Sequence, residues 1–417
     1  MKNPNNFLPT TRREFFSLTS RGIGLLAFSQ FAPSFLVQST LAATPAPEKD
    51  RTILVLVQLA GGNDGLNTLI PYEDANYYRL RPTLGIAKDQ VLKINNSPLG
   101  LHPSMGAMSG LLNDGKLAVV QNVGYPNPNR SHFRSTEIWE TASETNQYLS
   151  TGWIGRFMDN ACNGTPTADA DPCAVHITNG VPQSFMAEHD HNTFGLSPYG
   201  NGRRSRENLQ LLEKLVNHPG AAENDSASFL KHTMMDALVT EKHVQKVLGS
   251  YRPAAAYPTT PFAASLRNVS ALIAAGLSTR IYFVSLTGFD THANQLNTQA
   301  NLLRTLSDGL AAFQKDLEAH KLDQQVLTMT FSEFGRRASE NGNKGTDHGT
   351  AAPLFVMGSQ LKAGLHGTAP SLDLPKNQDI TFSTDFRQVY ATMLDRWLDC
   401  PDVAVLGRNY EPMPFVA

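Results

Sequence analysis

The sequence predicts an α/β protein built on a parallel or mixed sheet. Six apolar runs have the length of strands, and they are nearly continuous rather than alternating, which is typical of strands buried on both faces. Helical patterns separate several of these runs, and strands that alternate with helices indicate the α/β class. The six predicted strands are Ile53–Leu59, Leu117–Val123, Ala174–Ile177, Ile281–Leu286, Val326–Phe331 and Pro353–Met357.

Three segments between these strands carry helical signals. Asn301–His320 places leucines and one phenylalanine at intervals of one, three and four, which forms an apolar stripe on one helical face. Pro261–Gly276 has proline near its start and glycine past its end, as helices prefer. A third helix is expected over His132–Ala142. These helices would cover the faces of the sheet.

The middle of the chain differs in composition from the rest. Residues 150–205 are dense in Gly, Pro, Asn, Asp and Ser, and helical patterns follow over Glu207–Asn217 and Ala227–Leu248. Arg252–Pro261 holds three prolines and is interpreted as the connection back to the core. We therefore expect a single α/β domain over residues 44–417, with an inserted cap region at about 150–260.

The first 43 residues have the order of regions found in an export signal. Thr11–Phe16 contains two adjacent arginines followed by aromatics, Gly22–Val37 is mildly apolar, and Ala42-Ala43 offers a cleavage site. A short buried helix is the alternative. The apolar stretch is too short and too polar for a stable membrane span. We expect a twin-arginine signal peptide over residues 1–43, the twin-arginine (Tat) export machinery as a partner, and a periplasmic or otherwise exported protein that is not integral to the membrane after cleavage.

Charge and cysteine content narrow the class of partner. The formal net charge is −2, and cleavage would lower it to about −5 because the leader carries four basic residues and one acidic residue. A mildly acidic chain gives no electrostatic case for binding nucleic acid. An oxidising compartment would permit a disulfide between Cys162 and Cys173, although both could equally remain thiols, and Cys400 is expected to be a lone thiol.

Polar clusters follow four of the predicted strands, where ligands bind in open α/β sheets. The first cluster is Gly61-Gly62-Asn63-Asp64-Gly65. Asp64 could ligate a divalent metal, and it could equally cap a helix after a glycine-rich turn. After the second strand, Ser131 precedes a predicted helix and has Arg130 beside it. Ser131 could be an N-cap or a nucleophile in ester hydrolysis, and His132 competes with it for the catalytic role.

Two further clusters each place a carboxylate near an imidazole. Asp290 and His292 follow one strand, and Asp347 and His348 come a loop after another. Two such pairs favour metal ligation over coincidence. His366 is an additional candidate ligand or a turn histidine.

Glu333 and Arg336 stand directly after a strand. They could support the site as a carboxylate partner and an anion clamp, or form a surface ion pair.

In this order, the motifs resemble the family called domain of unknown function 1501. The motifs are Leu59-Ala60-Gly61-Gly62-Asn63-Asp64-Gly65-Leu66-Asn67, Arg130-Ser131-His132-Phe133, Gly288-Phe289-Asp290-Thr291-His292, Ser332-Glu333-Phe334-Gly335-Arg336 and Gly345-Thr346-Asp347-His348-Gly349. That family is placed in the alkaline phosphatase and sulfatase-like superfamily. The resemblance implies an alkaline-phosphatase-like, mixed and mostly parallel central sheet, with two divalent metals (zinc, manganese, magnesium or calcium) at the strand ends.

The resemblance also implies roles for the candidate residues. Ser131 would be the nucleophile. Asp64, with Asp347 and His348, would hold one metal, while Asp290, His292 and His366 would hold the other. The superfamily usually spaces its second carboxylate and histidine as Asp-x-x-x-His, whereas Asn294 stands here where that histidine would be, and Glu333 competes with Asp347 for one position.

Two functions follow from these expectations. The first is an exported, metal-dependent hydrolase of phosphate or sulfate esters, whose substrate is a small anionic ester and whose catalytic residues include Ser131, Arg130 and Glu333. The alternative is a non-catalytic exported binding or assembly protein that keeps the fold.

Overall fold

A computed structural model describes residues 52–161, 171–198, 240–375 and 378–416 of the chain. Its centre is a nine-stranded sheet. The strands of this sheet are β1 (Ile53–Ala60), β5 (Leu117–Gly124), β6 (Ala174–Ile177), β7 (Thr193–Leu196), β8 (Ile281–Thr287), β9 (Val326–Phe331), β10 (Ala352–Met357), β11 (Gly364–His366) and β12 (Thr384–Asp385). Their order is β11-β5-β10-β9-β1-β8-β6-β7, with β12 paired to β5. A small second sheet contains β2 (Leu69–Ile70), β3 (Leu92–Lys93) and β4 (Gly100–Leu101).

The large sheet is mixed and mostly parallel, as predicted. β1 pairs in parallel with both β8 and β9, and β6 pairs in parallel with β8 and β7. β10 is antiparallel to its neighbours β9 and β5. Consequently β1, β5, β6, β8 and β9 all end at the same edge of the sheet, which we call the carboxyl edge.

Helices cover both faces of the sheet. The helices are α1 (Ala75–Leu80), α2 (Gly106–Asn113), α3 (His132–Thr141), α4 (Trp153–Ala161), α5 (240–250), α6 (Pro261–Ala274), α7 (Gln295–Ala319), α8 (Phe386–Thr392) and α9 (Asp402–Leu406). One hydrophobic core contains the residues on one face of β1 together with α2, α6 and α7. The other core contains the residues on the opposite face of β1 together with α3, α4 and α8. One π-helical turn (Met393–Trp397) continues α8, and 3-10 turns occur at Gly65–Asn67, Gln183–Phe185 and Asp323–Gln325.

The local predictions hold closely. All six predicted strands form, with ends shifted by at most one residue, and the three predicted helices between them form as α3, α6 and α7. The prediction placed the start of α7 six residues too late, because Gln295–Ala300 is too polar to show a stripe. β7, β11 and β12 were not predicted, since they are short and lack a continuous apolar run.

Several expectations concern residues that the structure describes in part or not at all. The signal peptide over residues 1–43, the helix over Glu207–Asn217 and Cys162 of the expected disulfide lie outside the described residues. The expected cap region at 150–260 is described in part: it contributes α4, β6, β7 and α5, and β6 and β7 extend the main sheet. Within the described ranges, no helix has the length and apolar character needed to cross a membrane.

Candidate metal centre at the carboxyl edge

Three imidazoles converge on one carboxylate oxygen at the carboxyl edge. The Nε2 atoms of His292, His348 and His132 lie 3.0, 3.2 and 3.4 Å from Oδ1 of Asp290. Nε2 of His292 lies 2.9 Å from Nε2 of His348. Among the described residues, His132, Asp290 and His348 form the group whose ligand atoms all lie within 4.8 Å of one another. His292 joins this group through its contacts with His348 and Asp290.

Each imidazole is held by an acceptor on its other nitrogen. Nδ1–H of His348 donates to the carbonyl oxygen of Arg130 at 2.8 Å, and Nδ1–H of His132 donates to Oε1 of Glu333 at 2.8 Å. Nδ1–H of His292 donates to Oδ1 of Asp347 at 3.3 Å. A proton on Nδ1 leaves Nε2 with a free lone pair, and this is the tautomer that can bind a metal through Nε2. Acceptors that hold the Nδ1–H group are typical of metal-bound imidazoles.

The donor set fits a divalent cation. Two neutral imidazoles cannot face each other through bare Nε2 lone pairs at 2.9 Å without repulsion unless a proton or a cation lies between them. Nε2 of His132 is buried and has no hydrogen-bond partner among the described residues. Nitrogen ligands of a tetrahedral zinc ion stand about 3.3 Å apart at bond lengths of about 2.0–2.1 Å. The contacts among these four residues, from 2.9 to 3.4 Å, are close to that value.

Asp290 is anchored from behind by Arg336. The guanidinium, which is 1% exposed, donates from Nη2 to Oδ1 of Asp290 at 2.6 Å and from Nε to the carbonyl oxygen of Gly62 at 2.8 Å. Nη1 donates to the carbonyl oxygen of Thr346 at 2.9 Å, so one side chain ties together the loops after β1, β8 and β9. Burial raises the pKa of Asp290, but the hydrogen bond and the positive charge of Arg336 lower it to about 2. Asp290 is therefore a permanent anion at neutral pH.

The two more enclosed histidines differ in their proton affinity. Burial lowers the pKa of His348 below its ordinary value, which keeps that ring neutral. The hydrogen bond to Glu333 raises the pKa of His132, because the carboxylate favours the protonated ring. Glu333 is 2% exposed and its Oε1 also accepts the backbone N–H of Gly61 at 2.9 Å. Glu333 is therefore a buried carboxylate partner of a histidine, and the alternative of a surface ion pair with Arg336 is wrong.

The serine predicted as nucleophile stands at the start of α3, next to His132. Ser131 occupies the N-cap position, but its side chain accepts no hydrogen bond from the helix. Its backbone N–H donates to Oδ1 of Asn129 at 2.8 Å, and the residue is exposed. The hydroxyl is therefore not used as a cap. The guanidinium of Arg130 pairs with Asp379, while its carbonyl orients His348.

Asp64 is not brought into the imidazole cluster. It is fully buried, and its Oδ2 accepts a 2.6 Å bond from Nη1 of Arg81 and another from the side chain of Gln295. The positive charge of Arg81 already neutralises this carboxylate, which removes the electrostatic reason for it to hold a second cation. The structure therefore pairs Asp64 with Arg81 rather than with the imidazoles, and its Oδ1 is buried without a hydrogen-bond partner among the described residues. The motif around Asp64 does not include Arg81, so the sequence analysis did not predict this pair.

His366 and Asp347 also differ from the predicted ligand sets. His366 lies on the edge strand β11, where Nε2–H donates to the carbonyl oxygen of Lys362 at 2.8 Å and the ring packs on Phe415. It contacts no member of the cluster. Asp347 stands behind His292 and accepts a 3.0 Å bond from the side chain of Asn341, which lowers its pKa. It is a hydrogen-bond partner of a candidate ligand rather than a member of the group around Asp290.

His132 is the candidate ligand that the sequence analysis missed. It had been considered only as a rival to Ser131. The available signal was its position at the first turn of a helix that begins after β5, at the same edge as the other clusters. The structure therefore joins Asp290, His292 and His348, as predicted, to His132, which replaces Asp64 and His366 as candidate ligand.

Fold and site together define an α/β protein with a candidate metal centre of three histidines and one aspartate at the carboxyl edge of a mixed sheet. The chain belongs to the family described as "Protein of unknown function (DUF1501)", whose model matches residues 51–399. The predicted family is thereby confirmed. No curated protein matches the chain significantly.

Solved structures with a similar fold include several periplasmic or hydrolase-like proteins. One is the C-terminal periplasmic domain of EcEptC from Escherichia coli in complex with Zn (12% identity, 75% of each chain covered, TM-score 0.35). Another is a protein in the alkaline phosphatase superfamily from Vibrio parahaemolyticus (8% identity, 76% of this chain and 62% of that chain, TM-score 0.35). A third is the PsFucS1 sulfatase from Pseudoalteromonas sp. (10% identity, 89% and 72%, TM-score 0.33). At these scores the likeness says nothing about the chemistry of this chain.

Proposed function

We propose that the chain is an exported, metal-dependent hydrolase of phosphate or sulfate esters. The observation that carries the proposal is the convergence of three Nε2 atoms on Oδ1 of Asp290, with every Nδ1 held by an acceptor. His132, Asp290, His292 and His348 would hold the ion. A bound divalent cation would act as a Lewis acid on an ester oxygen and balance its negative charge.

The donor types narrow the choice of metal. Three imidazole nitrogens and one carboxylate oxygen suit zinc and other first-row transition ions, whereas magnesium and calcium prefer oxygen ligands. Of the four ions first considered, zinc and manganese therefore fit better than magnesium and calcium. A single ion suffices for this cluster. We do not place a second ion at Asp64, since Arg81 neutralises that carboxylate.

Ser131 supplies the nucleophile in this proposal. Its Oγ would bond to phosphorus or sulfur while the bond from that atom to the alcohol oxygen breaks, and the departing alcohol would gain a proton. Water would then cleave the serine ester, restoring Ser131 and releasing phosphate or sulfate. The N-terminal N–H groups of α3 favour the anion at this position. Arg336 would act by keeping Asp290 ionised and in place, and Glu333 by orienting His132.

The test uses the mature protein, residues 44–417, purified from the compartment to which it is exported. Elemental analysis should find a transition ion in about one equivalent. The loaded protein should cleave at least one ester from a phosphatase and sulfatase panel, and Ser131→Ala should abolish cleavage without loss of metal. Thr298→Ala, at an exposed site on α7, serves as the control. A protein that stays inert with zinc, manganese, magnesium and calcium would refute the proposal.

One observation favours a non-catalytic alternative, an exported binding or assembly protein that retains the fold. Asp64 is committed to Arg81, and the described residues contain one candidate metal cluster where the superfamily resemblance implied two sites. In this case Ser131→Ala would leave the cellular phenotype intact, while changes in the 150–260 region would abolish partner binding. Loss of the phenotype in a folded, metal-replete Ser131→Ala protein would exclude it.

Export through the twin-arginine pathway is part of the same proposal. Its support is the order of regions in residues 1–43, and the measurement is fractionation of cells that express the full chain. Replacing Arg12 and Arg13 together by lysine should retain the precursor in the cytoplasm. An unchanged periplasmic fraction would contradict this route.

A further inference from the structure

A cavity of about 500 Å³ lies at the carboxyl edge of the sheet. Its walls come from the ends of β1, β6 and β8, the start of α6 and one position of α7. Thr287 of this wall precedes Asp290 by three residues, a span of at most about 11 Å along the chain. Ala60 of the same wall precedes Gly61, whose N–H binds Glu333. The cavity therefore touches the ends of two strands whose following loops carry Gly61 and Asp290.

The described lining mixes polar and apolar side chains and contains no charged residue. Eight of its fourteen described residues bear a hydroxyl or an amide, and the other six are apolar. Six of the eight are hydroxyl residues, namely Thr178, Thr260, Ser265, Ser285, Thr287 and Thr305. A volume of this size is typical of small-molecule sites, which combine apolar walls with a few placed polar groups.

The hydroxyl groups offer both donors and acceptors. Oγ1 of Thr260 accepts the N–H of Ala263, so its own hydrogen remains to donate. Oγ of Ser265 and Oγ1 of Thr305 donate to backbone carbonyls of the preceding helical turn, so their lone pairs remain to accept. A ligand with many hydroxyls can satisfy both kinds of group at once.

Other ligand classes fit less well. A phosphate, carboxylate or ammonium group placed inside would lose its hydration without gaining a countercharge from the described lining, which is costly. A purely apolar ligand would remove water from the hydroxyls and return no hydrogen bonds. Pro198 and Pro261 of the wall provide a surface for the C–H face of a sugar ring.

We propose that this cavity binds a neutral carbohydrate, and that the carbohydrate is the alcohol portion of the ester acted on at the metal centre. The second part rests on the proposed function, whereas the binding of the sugar does not. The charged group of the ester would lie at the cluster around Asp290, and the sugar would fill the cavity, whose described lining has no charged residue. The substrate class is therefore phosphorylated or sulfated carbohydrate with an otherwise neutral sugar.

The test is binding of neutral sugars to the mature protein, measured by saturation-transfer NMR and calorimetry. Probes are glucose, galactose, mannose and maltose, with glucosamine as a charged control and hexanol as an apolar control. At least one neutral sugar should bind in preference to both controls. Thr305→Trp should weaken that binding at least tenfold by filling the cavity, whereas Thr298→Trp, at an exposed site on the same helix, should not.

Thermal unfolding of each variant checks that it is folded. If Thr305→Trp does not fold, Thr287→Leu on β8 provides a second obstruction of the cavity. Absence of binding by every neutral sugar, or undiminished binding in the folded obstructed variants, overturns the proposal. Ester cleavage without sugar binding would sustain the proposed function and refute the carbohydrate site. Sugar binding by a metal-loaded protein that cleaves no ester would sustain the carbohydrate site and refute the proposed hydrolase function.

Discussion

Replacing Glu333 by glutamine removes one negative charge behind His132 and keeps the shape of the side chain. In the wild-type protein, Oε1 of Glu333 accepts 2.8 and 2.9 Å bonds from Nδ1–H of His132 and N–H of Gly61. The amide oxygen of glutamine can accept the same two bonds, so the fold is retained. What is lost is the electrostatic support that makes Nε2 of His132 a stronger ligand.

The expected loss can be estimated from partners of this kind. Mutation of an outer partner of a metal ligand typically lowers metal affinity roughly 10- to 100-fold, which corresponds to about 1.4–2.8 kcal/mol of binding free energy. Glu333 is 3% exposed in its side chain, so solvent screens its charge little, and we expect the upper part of that range. Asp347→Asn should have a smaller effect, because Asp347 is 53% exposed and its contact with His292 is 3.3 Å long.

The assay is competition for zinc with a chromophoric chelator at constant pH, followed by elemental analysis of the recovered protein. Glu137→Gln is the matched control, since Glu137 lies on α3, the helix that carries His132, and pairs with Arg134 rather than with a histidine. If Glu333→Gln were folded and bound zinc as tightly as the wild type, Glu333 would not support a ligand, and the assignment of His132 to the metal would fail.

Three other predictions address residues outside the cluster. Asp64→Asn leaves the buried guanidinium of Arg81 without its carboxylate partner and should lower the free energy of unfolding by about 3–5 kcal/mol in urea titrations. The metal stoichiometry of this variant at low temperature should equal that of the wild type. A folded variant without metal would restore Asp64 as a candidate ligand. His366→Ala should leave both metal content and zinc affinity as they are, and a measurable drop in affinity would contradict its position on β11. Burial raises the pKa of Glu140 from 4.5 to about 7, partly offset by N–H donors of Ser184 and Gln183. The folded state therefore holds this proton more tightly than the unfolded chain, so its contribution to stability is full below pH 4.5 and is lost as the pH rises to about 7. Glu140→Gln should flatten the wild-type decline in unfolding free energy over that interval, and an identical pH slope in both proteins would show that Glu140 is not the group responsible.

The elements of the fold were predictable where a local pattern carries them. β1 and β9 are continuous apolar runs because each is covered on both faces, and burial on both faces leaves a direct mark on composition. β7 and β11 were missed because they add to the sides of the sheet, where partly exposed residues leave no such mark. The order in which the strands pair could not be predicted from local sequence either, since β1 pairs with strands that follow it by more than two hundred residues.

The candidate site shows the same division. The proximity of Asp290, His292 and His348 was predictable because polar residues directly or shortly after buried strands reach a common edge in a mostly parallel sheet. His132 was not predicted as a candidate ligand because it begins a helix, where the sequence does not tell whether a side chain points to the sheet edge or to water. The pairing of Asp64 with Arg81 was not predicted, because Arg81 directly follows α1 and lies outside the motif.

The sequence by itself thus determined the α/β class, the positions of the buried strands, the family and the set of polar groups delivered to the carboxyl edge. These properties depend on the order and burial of neighbouring residues. Only the tertiary structure decided which of those groups meet: three imidazoles around Asp290, with Glu333, Asp347 and the Arg130 carbonyl behind them, and Asp64 withdrawn to Arg81. Metal ligation and ion pairing compete for the same carboxylates over a few ångströms, and that competition is settled by distances between segments that lie far apart in the chain.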